Sequence, residues 1–500
     1  MNQRPNILFI MSDQHNANSA GFAGHPNVRT PHLDALAAQS VRFNKAYCNN
    51  PICSPSRVCF ITEQYAHTHQ IVGNNNFELE ENNPNTLGAV LRRHGYQTAM
   101  IGKDHTVQRW DDEAYEHIRY VDLTDASRLD PRTNHYFQYL IDHGVADLYE
   151  DGTLPPDHEN NTRGCAIAKL PYEHTNEHYT GEESLKFLQN RDKCRPFYLQ
   201  MSFERPHPNW MPSPEHANLY NPDEIELGED AVDWWENQWA GRPEFIQQMV
   251  ARLMKNRSQQ DLKRMLAYHF ALITVIDMEI GRVLDYLRET GEIENTIIVY
   301  TADHGDFAGE HGICNKNIGI YESIHHIPLL LHYPGGPQGK AVDGIVESID
   351  LFPTLCELAD VPAPPTCEGN SLIPVAGDTS AGKPFALCEW DFPAPQRFVN
   401  ALRTPRFRLV YYGHEKGGEL YDHETDPYEM RNLWDDADYQ TTRMELTEVL
   451  FDQVNKYHRK SDFDKDSIKG AARRLSPTAL IHKGCRKWSD IAETAGIESQ

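Results

Sequence analysis

Long hydrophobic runs are missing from this chain. No apolar stretch approaches the ~20 residues that span a bilayer, which excludes a helical membrane protein. Positive charge is scarce: 47 Lys and Arg stand against 73 Asp and Glu, a formal net charge of −26. The basic footprint that nucleic-acid partners require is therefore absent. An anionic substrate must be held by a local positive pocket, against the field of the whole protein. The 10 cysteines form no CxxC pair and no dense framework, so zinc ribbons and disulfide scaffolds are excluded. Asn6–Met11 is apolar but too short for the core of a signal peptide. It reads as a first strand, and the expected location is the cytoplasm, or the periplasm or exterior for a chain trimmed of an export signal. Internal repeats are also lacking.

What is present is a globular pattern of strands and helices. Five hundred residues, 39% of them hydrophobic, exceed one ordinary core, so a large domain and a smaller one, or two large ones, are expected. Asn6–Met11, Gln97–Ile101, Phe197–Phe203, Thr296–Thr301 and Pro328–His332 read as buried strands. Helical patterns lie between them at Pro31–Gln39 (after Thr30, an N-cap), Thr86–His94 and Asp261–Glu289. This alternation predicts an α/β sandwich with a large, mostly parallel sheet flanked by helices, and ligands beyond the carboxyl ends of its strands. His105–Thr175 and Pro206–Pro243 read as long loops, and Val361–Lys383 as a boundary. A catalytic domain of residues 1–380 is expected, then a smaller domain of residues 381–500. The smaller one has strands at Phe385–Glu389, Phe398–Leu402, Phe407–Tyr412 and Glu419–Tyr421, a helix at Thr441–His458, and a basic tail from Arg459. That tail reads as solvated surface, or as a segment folded back toward an anionic site.

Polar residues follow the strands closely. Met11-Ser12-Asp13-Gln14 ends the first, and Tyr300-Thr301-Ala302-Asp303-His304-Gly305-Asp306 ends a later one. A lone carboxylate there is a cap or a turn former. Two carboxylates, an amide and an imidazole brought together by adjacent strand ends make an oxygen-rich site suited to Ca²⁺ or, with stricter geometry, Mg²⁺. Gly102-Lys103-Asp104-His105 and Glu204-Arg205-Pro206-His207-Pro208 follow two other strands, and His311-Gly312-Ile313-Cys314-Asn315-Lys316 supplies a second lysine. Taken singly these are solvated lysines and satisfied histidines. Together they offer fixed cations for a tetrahedral anion and a proton donor and a base for its transfer. Cys53-Ser54-Pro55-Ser56-Arg57 stands before a predicted helix.

At these places the chain resembles the type I sulfatases of the alkaline phosphatase-like superfamily, with C-x-P-S-R at 53–57, G-K-x-H at 102–105 and the P-H-x-P-type element at 206–208. The resemblance extends through Thr30-Pro31-His32-Leu33-Asp34 and Asp350-Leu351-Phe352-Pro353-Thr354 to Glu419-Leu420-Tyr421-Asp422 and Asp426-Pro427. It implies an alkaline phosphatase-like sandwich and hydrolysis of sulfate esters. It also implies a formylglycine-generating maturation enzyme that oxidises Cys53, the hydrated aldehyde being the nucleophile. By the same resemblance Asp13, Gln14, Asp303 and His304 bind the metal, with the modified residue 53 completing the shell. Arg57 holds that shell, Lys103 and Lys316 clamp the sulfate oxygens, His207 binds substrate and protonates the departing oxygen, and His105 is the base that releases sulfate. The chain departs from the family pattern at Gln14 (aspartate in many members) and His304 (asparagine in many). Glu63 in Thr62-Glu63-Gln64 stands where glycine is usual, which is expected to disturb maturation or the site's electrostatics. His326 stands where arginine is common.

Phosphonate monoester and phosphodiester hydrolases share the fold and the formylglycine. They tend to carry neutral hydroxyl residues where this chain has Lys103 and His105, so a sulfate monoester is the expected substrate. A protein that merely binds sulfated glycans with Cys53 unmodified conflicts with the complete acid, base, metal and lysine set. Among esters, a sulfated saccharide is preferred to an aryl or alkyl sulfate, because Asn209-Trp210 and the Asp233–Trp239 run (Trp234, Trp235, Trp239) read as stacking faces for a sugar. An oligomer is compatible with the sequence.

Overall fold

The structure, a computed structural model, describes residues 4–71, 73–74, 83–106, 110–121, 134–149, 151–153, 165–255, 257–393, 396–413 and 417–458. Its central strand β1 (Asn6–Asp13) is buried along its whole length, as a strand covered on both faces must be. Side chains alternate along it. Ile7, Phe9 and Met11 enter one core, and Leu8 and Ile10 the other.

Seven more strands complete the sheet: β2 (Val41–Phe43), β3 (Gln97–Gly102), β4 (His117–Tyr120), β5 (Phe197–Pro206), β6 (Thr296–Ala302), β7 (Leu329–His332) and β8 (Lys340–Val342). Their order is β8-β2-β7-β6-β1-β5-β3-β4. All run one way except β7, which is antiparallel to both β6 and β2. The sequence pattern placed Pro328–His332 in the series without separating its direction. The reason is the connection: the chain after β6 stays at the carboxyl edge of the sheet and re-enters from there, without the return crossover that a parallel pair requires.

Helices α1 (Pro31–Ala37), α2 (Cys53–Thr62), α3 (Leu87–Arg93), α4 (Asn176–Asn190), α5 (Gln259–Glu289) and α6 (Leu351–Leu358) flank the sheet. α3 and α6 cover the first face. α1, α4 and α5 cover the second, with Ile276, Ile280, Val283 and Leu287 of α5 at helical spacing. Ser258 opens α5 with a capping box to Asp261, which puts the helix start just before the apolar pattern begins.

Beyond lies a small C-terminal domain, an antiparallel sheet of β9 (Ala386–Pro393), β10 (Gln396–Arg403), β11 (Phe407–Tyr412) and β12 (Gly418–Asp422) in chain order, with α7 (Gln440–His458). Leu402, Leu409 and Leu420 pack with Leu450 of α7 and with Cys59 and Tyr65 of the larger body. The two bodies are also joined by charge. Buried Arg408 donates to Glu429 at 2.5 Å, Glu429 accepts the Glu322 amide at 2.9 Å, and Arg403 donates to Glu322 at 2.8 Å. His326 lies inside this network, its ring 5.5 Å from that of Tyr47.

Three expectations are corrected. His105–Thr175 is not an unstructured loop: its described part contains β4, the edge of the main sheet, and a helix at His135–Asp142. β4 is His-Ile-Arg-Tyr, a polar edge strand with no apolar run to betray it. Val361–Lys383, expected as a boundary, packs on the larger body, because Val361, Leu372, Val375 and Ala376 belong to the main core and Lys383 pairs with Glu347 and Asp350 at 2.6 Å each. Finally, Trp210 and Trp239 offer no face to a ligand: they are 2% and 0% exposed, and their indole N–H groups donate to Pro206 O and His311 O. Trp234 and Trp235 pack partly buried against the same interior. The basic tail from Arg459 lies outside the described residues.

Candidate active site

Adjacent strands build the site. β1 and β6 pair in parallel with Ser12 opposite Ala302, so Asp13 and Asp303 emerge side by side at the carboxyl edge. Both are fully buried. Gln14 turns away with φ +63°, and its amide N–H donates to Asp303 Oδ1 at 2.9 Å.

The residue 53–57 segment reaches the same point. Ile52 precedes α2 with extended backbone, and its N–H is held by Asn50 Oδ1 at 2.9 Å. Cys53 is thus the first residue of the helix, where the backbone dipole favours negative charge. Its Sγ stands in for the reactive oxygens that a modified residue 53 would carry. That atom lies 2.7 Å from Lys316 Nζ, 3.3 Å from His304 Nε2 and 3.7 Å from Asp13 Oδ1. Arg57 sits one turn later on the same face, which is the physical reason for a four-residue spacing. Its guanidinium donates to Asp303 Oδ2 at 2.8 Å and Asp13 Oδ2 at 3.1 Å. It also donates to Lys103 O at 2.7 Å and Ser202 Oγ at 2.8 Å.

Lys103 leaves β3 and places Nζ 2.6 Å from Asp13 Oδ2 and 3.1 Å from Glu204 Oε2. Glu204 stands near the end of β5, and only the fold brings it beside the lysine. Lys316 is held between two left-handed residues, Asn315 (φ +83°) and Asn317 (φ +74°). Asn315 is a further residue that sequence reasoning missed. Its Oδ1 accepts from Gln14 Nε2 at 3.0 Å and from the Lys316 amide at 2.8 Å, tying the metal-side glutamine to the lysine arch. Asn-Lys-Asn in a loop is a signal for such an arch, since asparagine tolerates that backbone region. His105, also left-handed at φ +53°, hydrogen-bonds the residue 53 side chain. His207 donates Nδ1–H to Pro208 O at 2.6 Å, so Nε2 is the ring nitrogen not engaged by that bond. Its side chain is 28% exposed, whereas Lys103 and Lys316 are each 6% exposed. The cations lie inside and the imidazole faces outward.

The electrostatics follow. Burial and the Cys53 sulfur oppose ionisation of Asp13, and Lys103, His207 and Lys316 outweigh them, so its carboxyl is held below the ordinary range. Burial likewise opposes a thiolate at Cys53; Lys316, Lys103 and His304 with the His105 hydrogen bond reverse this and pull it well down. The pocket therefore favours an anion at this point despite the chain's overall acidity.

A divalent ion fits the donor set. Asp13, Cys53, Asp303 and His304 each offer one ligand atom, all within 4.8 Å of one another. Gln14 Oε1 is buried and accepts no hydrogen bond. His304 donates Nδ1–H to Gly305 O at 2.9 Å, which leaves the Nε2 lone pair as the ligand. Carboxylates, an amide oxygen and one imidazole suit a hard cation.

Glu63 ends α2 in the left-handed region, φ +56° and ψ 40°, the reason glycine suits that position. It is fully buried, and burial pushes its carboxyl up to about 9. Folded protein thus keeps a proton that unfolded chain releases near pH 4.5, and stability falls as pH rises from there toward 9. Glu63→Gln removes that titration. Its melting temperature relative to wild type is expected to climb between pH 5 and pH 8.5; a pH-independent difference would contradict a buried, protonated Glu63.

A family model described as Sulfatase matches residues 5–361, and one described as N-sulphoglucosamine sulphohydrolase, C-terminal, matches residues 309–456. The chain is 28% identical to an N-acetylglucosamine-6-O-sulfatase of Bacteroides thetaiotaomicron, over 93% of this chain and 89% of that one. It is 30% identical to the uncharacterized sulfatase YidJ of Escherichia coli, over 91% and 88%. Among solved structures, a phosphonate monoester hydrolase of Agrobacterium radiobacter superposes with a TM-score of 0.77 at 22% identity, covering 91% of this chain and 96% of that one.

Proposed function

The chain belongs to the sulfatase family, and from that premise we propose that it hydrolyses a sulfate monoester of a saccharide, with residue 53 as formylglycine and Ca²⁺ held by Asp13, Gln14, Asp303 and His304. The observation that carries the proposal is the convergence of Lys103, Lys316, His105 and His304 on residue 53. The saccharide reading rests on the relative named for N-acetylglucosamine-6-O-sulfate cleavage. When bound, the ion supplies Lewis-acid polarisation of the sulfate and of residue 53.

The chain's own residues do the rest. Lys103 and Lys316 bind the sulfate oxygens and stabilise the charge that gathers on them. Arg57 orients Asp13 and Asp303 by donating to one oxygen of each. His207, its Nδ1–H fixed on Pro208 O, protonates the departing sugar oxygen from Nε2. His105 takes a proton from residue 53 so that sulfate can leave. The buried walls limit water to the open side.

Two measurements test this. Free sulfate is assayed on a panel of sulfated saccharides with nitrophenyl sulfate and phenyl phosphonate as controls, the protein being co-produced with a formylglycine-generating enzyme. Release from a saccharide is expected; turnover of the phosphonate alone moves the chain to the other branch of the superfamily. His207→Ala is expected to lower kcat on the saccharide by about 10²–10⁴-fold and to spare nitrophenyl sulfate, whose leaving group needs no proton. An equal loss on both removes His207 from the acid role.

A further inference from the structure

α4 precedes β5, so as a crossover helix it runs from the carboxyl edge of the sheet back to the start of the strand. Its first turn therefore stands beside the end of β5, at the edge where the active site lies. Between them is a small open cleft with room for about 30 Å³, the size of one water or one sugar hydroxyl, bordered by Tyr136, Tyr149, Asn176, Glu177, Arg205 and Met211. Its polar walls are nearly out of solvent: Asn176 is 5%, Glu177 3% and Arg205 6% exposed. Asn176 Oδ1 is buried and accepts no hydrogen bond, a rare condition in a folded protein that calls for an explanation. Arg205 Nε lies 3.7 Å from Glu177 Oε1. Its Nη1 donates to the His207 carbonyl at 2.8 Å, so the cleft adjoins the backbone that carries the proposed acid.

The chemistry of these walls selects among ligands. A second sulfate would meet the Glu177 carboxylate and the Asn176 carbonyl oxygen, both repulsive to an anion. A neutral arm that donates hydrogen bonds meets two acceptors, with Arg205 ready to donate in return. Hydroxyl and amide N–H groups of a sugar have this character, and the tyrosine rings suit its C–H surface. We propose that this cleft is a leaving-group subsite, in which a hydroxyl or amide N–H of the sugar donates to Asn176 Oδ1. The proposal rests on the saccharide reading above.

Asn176→Leu tests it, because Oδ1 bonds nothing in the free protein and its removal breaks no internal bond from that atom. The readouts are KM and kcat for the best saccharide sulfate of the panel and for nitrophenyl sulfate, with the melting temperature alongside. The expected result is a KM about tenfold higher for the saccharide and unchanged kinetics on the aryl ester. Glu177→Gln, which keeps the size of the side chain, is expected to shift KM with the same selectivity, and it decides the matter if Asn176→Leu melts low. Unchanged saccharide KM in a stably folded variant, or equal changes on both substrates, overturns the subsite alone. Wild type that cleaves only the aryl ester overturns the saccharide reading and the subsite together.

Discussion

Cys53→Ala is expected to abolish sulfate release while leaving the protein folded. The side chain is 1% exposed and touches only the site, through Lys316 Nζ, His304 Nε2 and Asp13 Oδ1. No core cluster among the described residues depends on it, whereas its helix is anchored in the cores by Val58, Cys59 and Phe60. Removing a nucleophile that works as a unit with its acid, base and cations costs on the order of 10⁶-fold in kcat in a well-studied hydrolase. A loss of about 10⁴-fold or more is the expectation here. The check is sulfate release beside circular dichroism and melting temperature, with mass spectrometry of the residue 53 peptide in wild type. Wild-type turnover in the alanine variant would sink the mechanism, and Cys53→Ser is expected to behave the same way.

Arg57→Met is expected to be the most destabilising change at the site. Arg57 is 2% exposed and pairs with two carboxylates that are 0% exposed. Burial works against its charge, but Asp303 and Asp13 outweigh burial and raise its affinity for the proton. Taking away one partner of a buried ion pair leaves an uncompensated charge and costs about 3–5 kcal/mol. Here two carboxylates are left facing each other, with Lys103 beside Asp13 and the His304 imidazole 3.7 Å from Asp303 as their nearest remaining partners. Arg57→Lys is not expected to rescue, because one ammonium cannot reach four acceptors in the planar fork that guanidinium provides. Calcium should narrow the loss, since an ion bound between Asp13 and Asp303 stabilises the folded state by mass action. The measurement is denaturant unfolding with and without the ion. A variant as stable as wild type in chelator would show that the carboxylates are compensated elsewhere.

Much of this site was legible in the sequence because its chemistry is local. Asp13-Gln14, Lys103 with His105, His207 and Asp303-His304 each follow a run of buried apolar residues, and residues beyond the ends of parallel strands share one edge. Cys53–Arg57 reads as a segment leading into a helix; the helix in fact begins at Cys53, which puts Cys53 and Arg57 one turn apart. The misreadings have equally local causes. Trp210, Trp234, Trp235 and Trp239 looked like sugar platforms because an aromatic-rich loop reads the same whether its rings face solvent or pack inward. β4 was hidden because an edge strand need not be apolar.

The α/β layering, the strand-end positions of Asp13, Lys103, His207 and Asp303, and the small antiparallel sheet were readable along the chain. All of these follow from periodicity and from short-range spacing. Only the tertiary structure decided that β7 runs against its neighbours, that Val361–Lys383 belongs to the main core, and that Glu204 and Asn315 brace the two lysines. It alone left Gln14 Oε1 and Asn176 Oδ1 without partners. The physical reason is that these outcomes depend on which distant segments share a boundary. Glu204 meets Lys103 across neighbouring strands about a hundred residues apart in sequence, and no local pattern encodes that distance.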